Sequence, residues 1–261
     1  MKTLFSFKQN YLKQSMTVCQ NCGNEFQGNY CNNCGQTADT HRFSLKHIFH
    51  EAVHTFTHAD KGLLKLIPDL FTKPGETVRN YIAGQRKRYF NPIQFLIIMT
   101  AIAAFATIQF HVMESVISTT TVNLHGRALF FSQFNTFIYK YINIIMFLSV
   151  PLFALFTRIF FWKSGYNYAE NLIMNTFYAG QRSVMYVVII IPLVIIWRPY
   201  LTFIMMGFTL LWMIYYYYAF AQFFKFRSVW MFLKGFLCIA LFYVIHGALM
   251  FGTFYLFFYK P

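Results

Sequence analysis

Residues 231–257 read MFLKGFLCIALFYVIHGALMFGTFYLF, and this stretch decides the class of protein. Lys234 is its only side chain that carries a full charge at neutral pH, because His246 is taken as neutral. A helix needs about 20 apolar residues to cross the hydrocarbon core of a bilayer. The stretch therefore predicts a membrane-spanning helix.

The composition of the whole chain agrees with that prediction. Of its 261 residues 57% are hydrophobic, 21% aromatic and only 11% charged, and the mean hydropathy is +0.43. This composition excludes an ordinary water-soluble domain. The net charge of +14 does not indicate nucleic-acid binding, and we expect no such partner, because a spanning protein keeps Lys and Arg in its cytoplasmic loops.

Apolar runs separated by short charged segments predict five spans in the membrane domain, residues 91–261. The third is the weakest, because its purely apolar part, residues 183–197, has only 15 residues and holds Pro192. We therefore extend this span backwards and expect it to bend. The predicted fold is an all-α integral membrane protein with about five transmembrane helices. The spans are 92–112, 138–161, 172–197, 200–224 and 231–257. Before them lie an N-terminal tail (1–16), a small zinc ribbon (17–37) and amphipathic juxtamembrane helices (38–90).

The placement of Lys and Arg near the spans predicts the orientation. Ten of these residues fall on the side of the N-terminal head and three on the other side. The positive-inside rule then places the N-terminus in the cytoplasm and the C-terminus outside, in a bacterial inner membrane. The head-side set is Arg79, Arg86, Lys87, Arg88, Arg158, Lys163, Arg182, Lys225, Arg227 and Lys234, and the opposite set is Arg127, Arg198 and Lys260.

The head carries a metal motif, TVCQNCGNEFQGNYCNNCGQ at residues 17–36. Two C-x-x-C pairs, each followed by glycine, predict a closed tetrahedral site that holds one structural Zn²⁺. So short a segment cannot build a core, so the metal would supply folding energy of about 10–16 kcal/mol. Two disulfides are the alternative. The ligands are Cys19, Cys22, Cys31 and Cys34, whereas Cys238 lies in an apolar run and reads as a small buried side chain.

A helix predicted from Ser44 to His58 contains His50-Glu51-Ala52-Val53-His54, which matches the H-E-x-x-H pattern. In zinc hydrolases this spacing places two imidazoles beside the metal and a glutamate beside its water. One reading is a catalytic site with His50 and His54 as metal ligands, Glu51 as the base and Glu76 or Glu170 as the third ligand, because His58 is too close in sequence for that role. Another is a second metal site at His50, His54 and His58, or a proton-sensing stripe, without catalysis, and a plain polar helix face is the preferred reading.

The cluster Arg86, Lys87 and Arg88 precedes the first span. It predicts contacts with anionic lipid headgroups, or it only stops and orients the span.

Polar residues are scarce in the membrane domain. One hypothesis joins them into a cytoplasm-facing polar cavity with Glu170 as its acidic centre, as in a transporter or lipid-handling protein. The preferred alternative pairs Glu170 with Arg182 or Lys163 at a helix end. The cavity candidates are Asn143, Glu170, Asn171, Asn175 and His246, while some of Tyr215 to Tyr218 are assigned to an interfacial aromatic belt.

Several of these motifs together carry a resemblance. They are the paired C-x-x-C-G head ending in Gln36, then Asp60-Lys61-Gly62, Lys73-Pro74-Gly75 and the run YIAGQRKRYFNP at 81–92. Over roughly residues 17–110 the chain resembles an uncharacterised bacterial family, a domain of unknown function with a zinc-ribbon head on several membrane spans. The five-span layout is loosely similar to that of Yip1-like membrane proteins, whose eukaryotic members act as trafficking scaffolds.

The resemblance implies an architecture and no activity. The preferred expectation is a non-enzymatic scaffold or regulatory protein in contact with the lipid bilayer, whose zinc ribbon docks a protein partner or organises its own helices. The alternatives are a transporter or lipid-handling protein using Glu170 and a zinc-dependent membrane hydrolase using His50, Glu51 and His54.

Overall fold

The structure, a computed structural model, describes residues 16–46, 48, 62–112 and 127–259. Within these ranges the chain is helical apart from a small antiparallel hairpin, as the sequence predicts. The hairpin is β1 (Thr17–Val18) and β2 (Glu25–Phe26). The helices are α1 (Leu63–Thr72), α2 (Pro74–Ile82), α3 (Pro92–Gln109), α4 (Arg127–Phe160), α5 (Tyr168–Met185), α6 (Ile191–Ile196), α7 (Leu201–Phe224) and α8 (Val229–Phe257).

Among the residues that the structure describes, four helical segments are long and apolar enough to cross a membrane, which suggests a membrane protein. They are Pro92–Gln109, Tyr168–Ile196, Arg198–Phe224 and Val229–Phe257. Helix α4 is a fifth candidate if its two arms, Leu129–Ile142 and Ile144–Phe160, form one span, since they are bent by 79°. Helix α4 begins at Arg127, before the predicted start of the second span at 138.

The third candidate span is one continuous helix. It begins at Tyr168, before the predicted start at 172, and a π-helical turn at Tyr186–Ile190 joins α5 to α6. Pro192 occupies the first turn of α6, so the helix continues past the expected bend. Most of α5 is buried between α3 and α4, and at Gly180 the backbone approaches α3 so closely that a Cβ there would lie 2.5 Å from Cδ1 of Phe95.

Contacts at the two ends of the bundle establish the path of the chain. The head end carries the β-hairpin, and there Arg42 donates to the carbonyl of Gly165, which lies between α4 and α5. At the opposite, far end, Arg198 Nη2 donates to His111 O at 2.7 Å, joining the end of α6 to the end of α3. Helices α3 and α5 therefore run away from the hairpin, and α4 must return between them despite its bend.

Helices α1 and α2 cover the head end of the bundle. Leu66, Leu70 and Val78 are fully buried, and the helix pair packs against α5 and α7. Helix α1 continues through Pro68 to Thr72. The apolar faces of these short helices are thus buried against the long helices.

Side chains of α7 cap the C-terminus of α1, and a side chain of α2 caps the C-terminus of α7. Tyr215 and Tyr218 on α7 donate to the carbonyls of Leu70 (2.7 Å) and Thr72 (3.0 Å), which the last turn of α1 leaves without helical partners. In return, Arg79 on α2 donates to the carbonyls of Gln222 and Phe223 at the end of α7. A cation at a helix C-terminus also opposes the negative end of the helix dipole.

Candidate metal centre, cap interface and polar residues of the bundle

The four cysteines of the head form one cluster. Their Sγ atoms all lie within 4.8 Å of one another, with 3.5 Å between Cys19 and Cys34 and 3.6 Å between Cys22 and Cys31. Disulfide sulfurs would be about 2.05 Å apart, so the two-disulfide alternative does not describe this arrangement. Sulfurs bound tetrahedrally at about 2.3 Å from a zinc ion lie about 3.8 Å apart. The cluster could bind one metal ion.

Two turns with the same hydrogen-bonding pattern build the cluster. Gly23 donates to Cys19 O and Gly35 donates to Cys31 O, both at 2.8 Å. The two glycines have φ values of +75° and +72°, in the left-handed region that only glycine adopts without strain. This is the physical reason for the glycine that follows each C-x-x-C in the sequence.

The environments of the thiols differ. At Cys31, burial opposes ionisation, but hydrogen bonds from the backbone N–H groups of Cys34 and Asn33 outweigh it and lower the pKa to about 6. At Cys19, burial prevails and raises the pKa to about 11. Cys31 is therefore ready to bind a cation as a thiolate at neutral pH, and a metal must displace the proton of Cys19.

Residues inside the two cysteine turns hold the head on the helix bundle. They contact the segment Gly84–Arg88 after α2, which we call the docking loop. Asn21 Oδ1 accepts from Arg88 N at 3.1 Å, and Gln36 Oε1 accepts from Arg86 N at 3.3 Å. Gln20 lies so close to Gly84, whose φ is +115°, that a Cβ there would meet its Oε1 at 2.1 Å. We call residues 17–43, which include these turns, the cap.

Arg86 belongs to this cap interface, while its contact with lipid headgroups stays a prediction. Its guanidinium carbon lies 3.8 Å from the centroid of the Phe43 ring, and its Nη2 donates to His41 O. Phe43 stacks on Tyr81 of α2, with ring centroids 5.7 Å apart. Lys87 and Arg88 have exposed side chains. Arg86 therefore packs within the chain and is partly buried, whereas its two neighbours are exposed.

A second anchor ties the cap to the first turn of α5. Arg42 Nε and Nη2 donate to the two carboxylate oxygens of Glu170 at 2.6 and 2.7 Å. Glu170 also accepts from Asn167 N at 2.7 Å, while Asn167 Oδ1 accepts from Glu170 N at 2.9 Å, so the two residues form a capping box. Hydrogen bonding and charge attraction from Glu170 raise the pKa of Arg42.

This anchor replaces the expected pairing of Glu170 with Arg182 or Lys163. Sequence reasoning missed Arg42 because 128 residues separate it from Glu170. The only local signal was the Asn167-x-x-Glu170 spacing, which is typical of a capping box and places Glu170 at a helix start. Glu170 thus lies at the head end of α5, engaged by the cap.

The other polar candidates of the membrane domain are only partly brought together. Asn171 donates to Asn167 O, and Asn175 donates to Asn171 O, each at 2.8 Å along α5. Asn175 and His246 line a common cavity of about 290 Å³ between α4, α5, α7 and α8. The side chain of Asn143 lies outside the described residues, as do His50, Glu51, His54 and His58.

Arg182 is the polar residue whose position the sequence reasoning misjudged. It was counted among the head-side charges, yet it lies at the midpoint of the helical segment Tyr168–Ile196 and lines two cavities. The predicted span 172–197 already contained position 182, and that was the signal that could have located it. The excess of positive charge at the head end falls by one residue.

Part of this chain is similar to a known family model. Residues 60–104 match the model of a family described as a protein of unknown function (DUF3667). No curated protein and no solved structure matches the chain. The matched segment contains α1, α2, the docking loop and the first part of α3, so the family pattern includes the surface on which the cap rests.

Proposed function

We propose that this chain is a five-pass membrane protein whose zinc-bound cytoplasmic cap fastens the head end of its helix bundle, and that it acts as a non-enzymatic scaffold or regulatory protein. One observation carries the proposal. The turns that bring the cysteines together also present Asn21 and Gln36, which hold the docking loop. Metal binding and cap docking therefore depend on the same backbone conformation.

Zinc is the metal that the ligands favour. Four cysteine sulfurs in tetrahedral array are typical of zinc or iron–sulfur sites. The cluster has room for a single ion, since all four sulfurs lie within 4.8 Å of one another. Four protein ligands leave no open position for a substrate or water, which favours a structural role over catalysis.

The distribution of charge supports a cytoplasmic cap in the inner membrane of a bacterium. Positive side chains at the head end outnumber those at the far end, even after Arg182 is moved to the middle of the bundle. Cytoplasmic segments next to spans carry such an excess. A reducing cytoplasm also keeps cysteines available to a metal. The exposed Lys87 and Arg88 would then meet anionic headgroups.

In the proposed regulation, metal binding to the cap controls the capping box at the start of α5. With the cap docked, Arg42 neutralises Glu170, whose side chain is only 4% exposed. Loss of the metal would release the cap and leave this carboxylate without its cation. Since an unpaired buried charge is costly, the first turn of α5 would then open to water. Bound metal would thus determine whether the cap stays docked and the first turn of α5 stays folded.

Metal analysis combined with hydrogen exchange tests the proposal. The purified full chain should hold one zinc per molecule. Cys31→Ser should lose it, and amide exchange should rise in the docking loop and in residues 167–171. Cys238→Ser, whose thiol is buried in the bundle, is the matched control and should retain the metal. A chain without zinc, or unchanged exchange in a metal-free Cys31→Ser variant, would refute the fastening role.

The histidines provide the test against the hydrolase alternative. If the chain has only the cysteine site, replacing both His50 and His54 by Ala should leave the zinc content at one. A second zinc that disappears in this variant would contradict the non-enzymatic proposal and favour a catalytic site with Glu51.

A further inference from the structure

Arg182 lies at half the height of the helix bundle. It is about 21 Å from either end of its own helical segment, at 1.5 Å per residue. Residues near the midpoints of the neighbouring helices surround it. Met146 of α4 and Phe208 of α7 contact it, and Thr100 of α3 meets the adjacent Ser183 at 3.4 Å. In a bilayer this layer would lie near the centre of the hydrocarbon core.

The guanidinium of Arg182 has no carboxylate partner among the residues that the structure describes. Glu170 is the only acidic residue between 127 and 259. It lies about 18 Å away along α5 and is bound by Arg42. Nη1 of Arg182 donates to Met146 Sδ at 2.9 Å, and the guanidinium carbon lies 5.5 Å from the centroid of the Phe208 ring.

These contacts satisfy the hydrogen-bonding groups of the Arg182 guanidinium poorly. A guanidinium has five N–H donors, and a thioether sulfur is a poor acceptor. Charged residues at membrane depth are costly and usually mark a path or site for a ligand. An anion is the ligand that would balance this charge.

Arg182 also forms a wall between two cavities. The first measures about 290 Å³ and the second about 220 Å³, and Ile142, Met146 and Arg182 line both. Ile142 and Met146 lie beside the bend of α4, so both cavities lie next to that bend. The first cavity is mostly apolar and contains His246, whose buried Nε2 has no hydrogen-bond partner in the described part of the chain.

We propose that these cavities bind an anionic amphiphile, a carboxylate or phosphate group carried on a hydrocarbon chain. The anionic group would accept from Arg182 and from His246 when its Nε2 carries a proton, and the chain would lie along the apolar wall. Apolar cavities with a few convergent polar groups are the usual form of small-molecule sites. This binding activity goes beyond the fastening role of the cap and does not depend on it.

Fluorescence of Trp212 tests the proposal, because this residue lines the first cavity and is only 5% exposed. A variant with Phe in place of Trp162, Trp197 and Trp230 keeps Trp212 as the only tryptophan. In phosphatidylcholine nanodiscs, dibrominated stearate should quench it saturably. Its uncharged methyl ester should need at least about tenfold higher concentration, because it lacks the charged hydrogen bonds.

Substitutions at Arg182 supply the decisive comparison. Arg182→Gln should raise the half-saturating concentration of the acid at least about tenfold, whereas Arg182→Lys should recover part of the affinity. Arg198→Gln at the far end is the matched control and should change nothing. Equal quenching by acid and ester, or no effect of Arg182→Gln, would overturn the proposal.

A second variant keeps the test decisive if Arg182→Gln does not fold. Gly247 lines the first cavity, and a Cβ added there meets no atom within 4 Å. Gly247→Phe should therefore fold, occupy the cavity and abolish saturable quenching while Arg182 is still present. Persistent quenching would place the amphiphile elsewhere and refute the site.

Two competitors identify the source of the anion. Phosphatidate without bromine should relieve the quenching if the ligand is a membrane lipid, and unbrominated oleate should do so if it is a free fatty acid. Inorganic phosphate should not compete, and competition by phosphate alone would overturn the requirement for a hydrocarbon chain. Quenching should be unchanged in Cys31→Ser, so this result and that of the cap are independent.

Discussion

The buried hydroxyl of Tyr216 shows how one residue can matter in an apolar bundle. It donates to Oδ1 of Asn175, whose Nδ2 donates to Asn171 O and to Thr157 Oγ1. The side-chain amide of Asn175 thus bonds to its own helix through Asn171 and to α4 and α7 through Thr157 and Tyr216. The four consecutive tyrosines of α7 divide their hydroxyls among different partners, which the pattern of the sequence alone could not reveal.

Tyr216→Phe should destabilise the bundle by about 1–3 kcal/mol, because it leaves a buried amide oxygen without a donor. Thermal unfolding in detergent would measure the loss. Tyr255→Phe removes a hydroxyl from a residue that is 57% exposed and should have almost no effect. Equal unfolding temperatures for the two variants would show that the Asn175 contact adds nothing to stability.

Arg42→Gln should loosen the first turn of α5. The Arg42 side chain is 59% exposed, so solvent screening limits the expected loss to about 1 kcal/mol. Hydrogen exchange at residues 167–171 should nonetheless rise clearly, because Glu170 loses both of its guanidinium donors. Lys46→Gln, an exposed cation of the same segment, is the control. The anchor would be refuted if both variants exchange like the parent chain.

Among the elements, the close contact between α2 and α7 is set by a single glycine. A Cβ on Gly75 would lie 2.3 Å from the backbone nitrogen of Phe223, and neither backbone can move without breaking the mutual caps. Gly75 N also donates to Gln222 Oε1 at 3.1 Å. Helix α1 ends at Thr72, just before Pro74-Gly75, and the same pair begins α2.

Gly75→Ala should therefore cost about 1–3 kcal/mol, the range expected when a packed interface must admit an extra carbon. Gly207→Ala is the matched control on α7. A Cβ there meets no atom within 4 Å, and alanine favours a helix interior, so this variant should gain up to about 1 kcal/mol. The ranking of the two melting temperatures checks the contact, and a stabilised Gly75→Ala would contradict it.

At the scale of the whole molecule, the sequence predicted what depends on short-range patterns. The apolar runs located the long helices, and the two C-x-x-C-G motifs located the cysteine cluster, because both signals lie within about 30 neighbouring residues. The Arg42–Glu170 pair and the caps between α1 and α7 join residues more than 120 positions apart. Such contacts follow from packing, which no local pattern encodes, whereas the depth of Arg182 could have been predicted because the predicted span 172–197 contains it.

The path of the chain predicts that its two ends lie on opposite sides of the membrane. The cap lies at the head end, while Phe254 near the end of α8 packs against Phe130 at the start of α4, with ring centroids 5.4 Å apart, at the far end. A reporter active only in the cytoplasm should work when fused to the N-terminus and fail at the C-terminus. Activity of both fusions would imply that α4 does not cross, and activity of the C-terminal fusion alone would reverse the proposed orientation.

The mutual caps of α1 and α7 also have a consequence for biosynthesis. Thr72 leaves the ribosome 146 residues ahead of Tyr218, which at about 5–20 residues per second is a delay of roughly 7–30 s. During that interval the nascent α1 has carbonyls that only water or a chaperone can satisfy. A chain truncated before α7 would never supply the two tyrosine donors. The C-terminal capping of α1 therefore has to wait until α7, one of the last helices, has been translated.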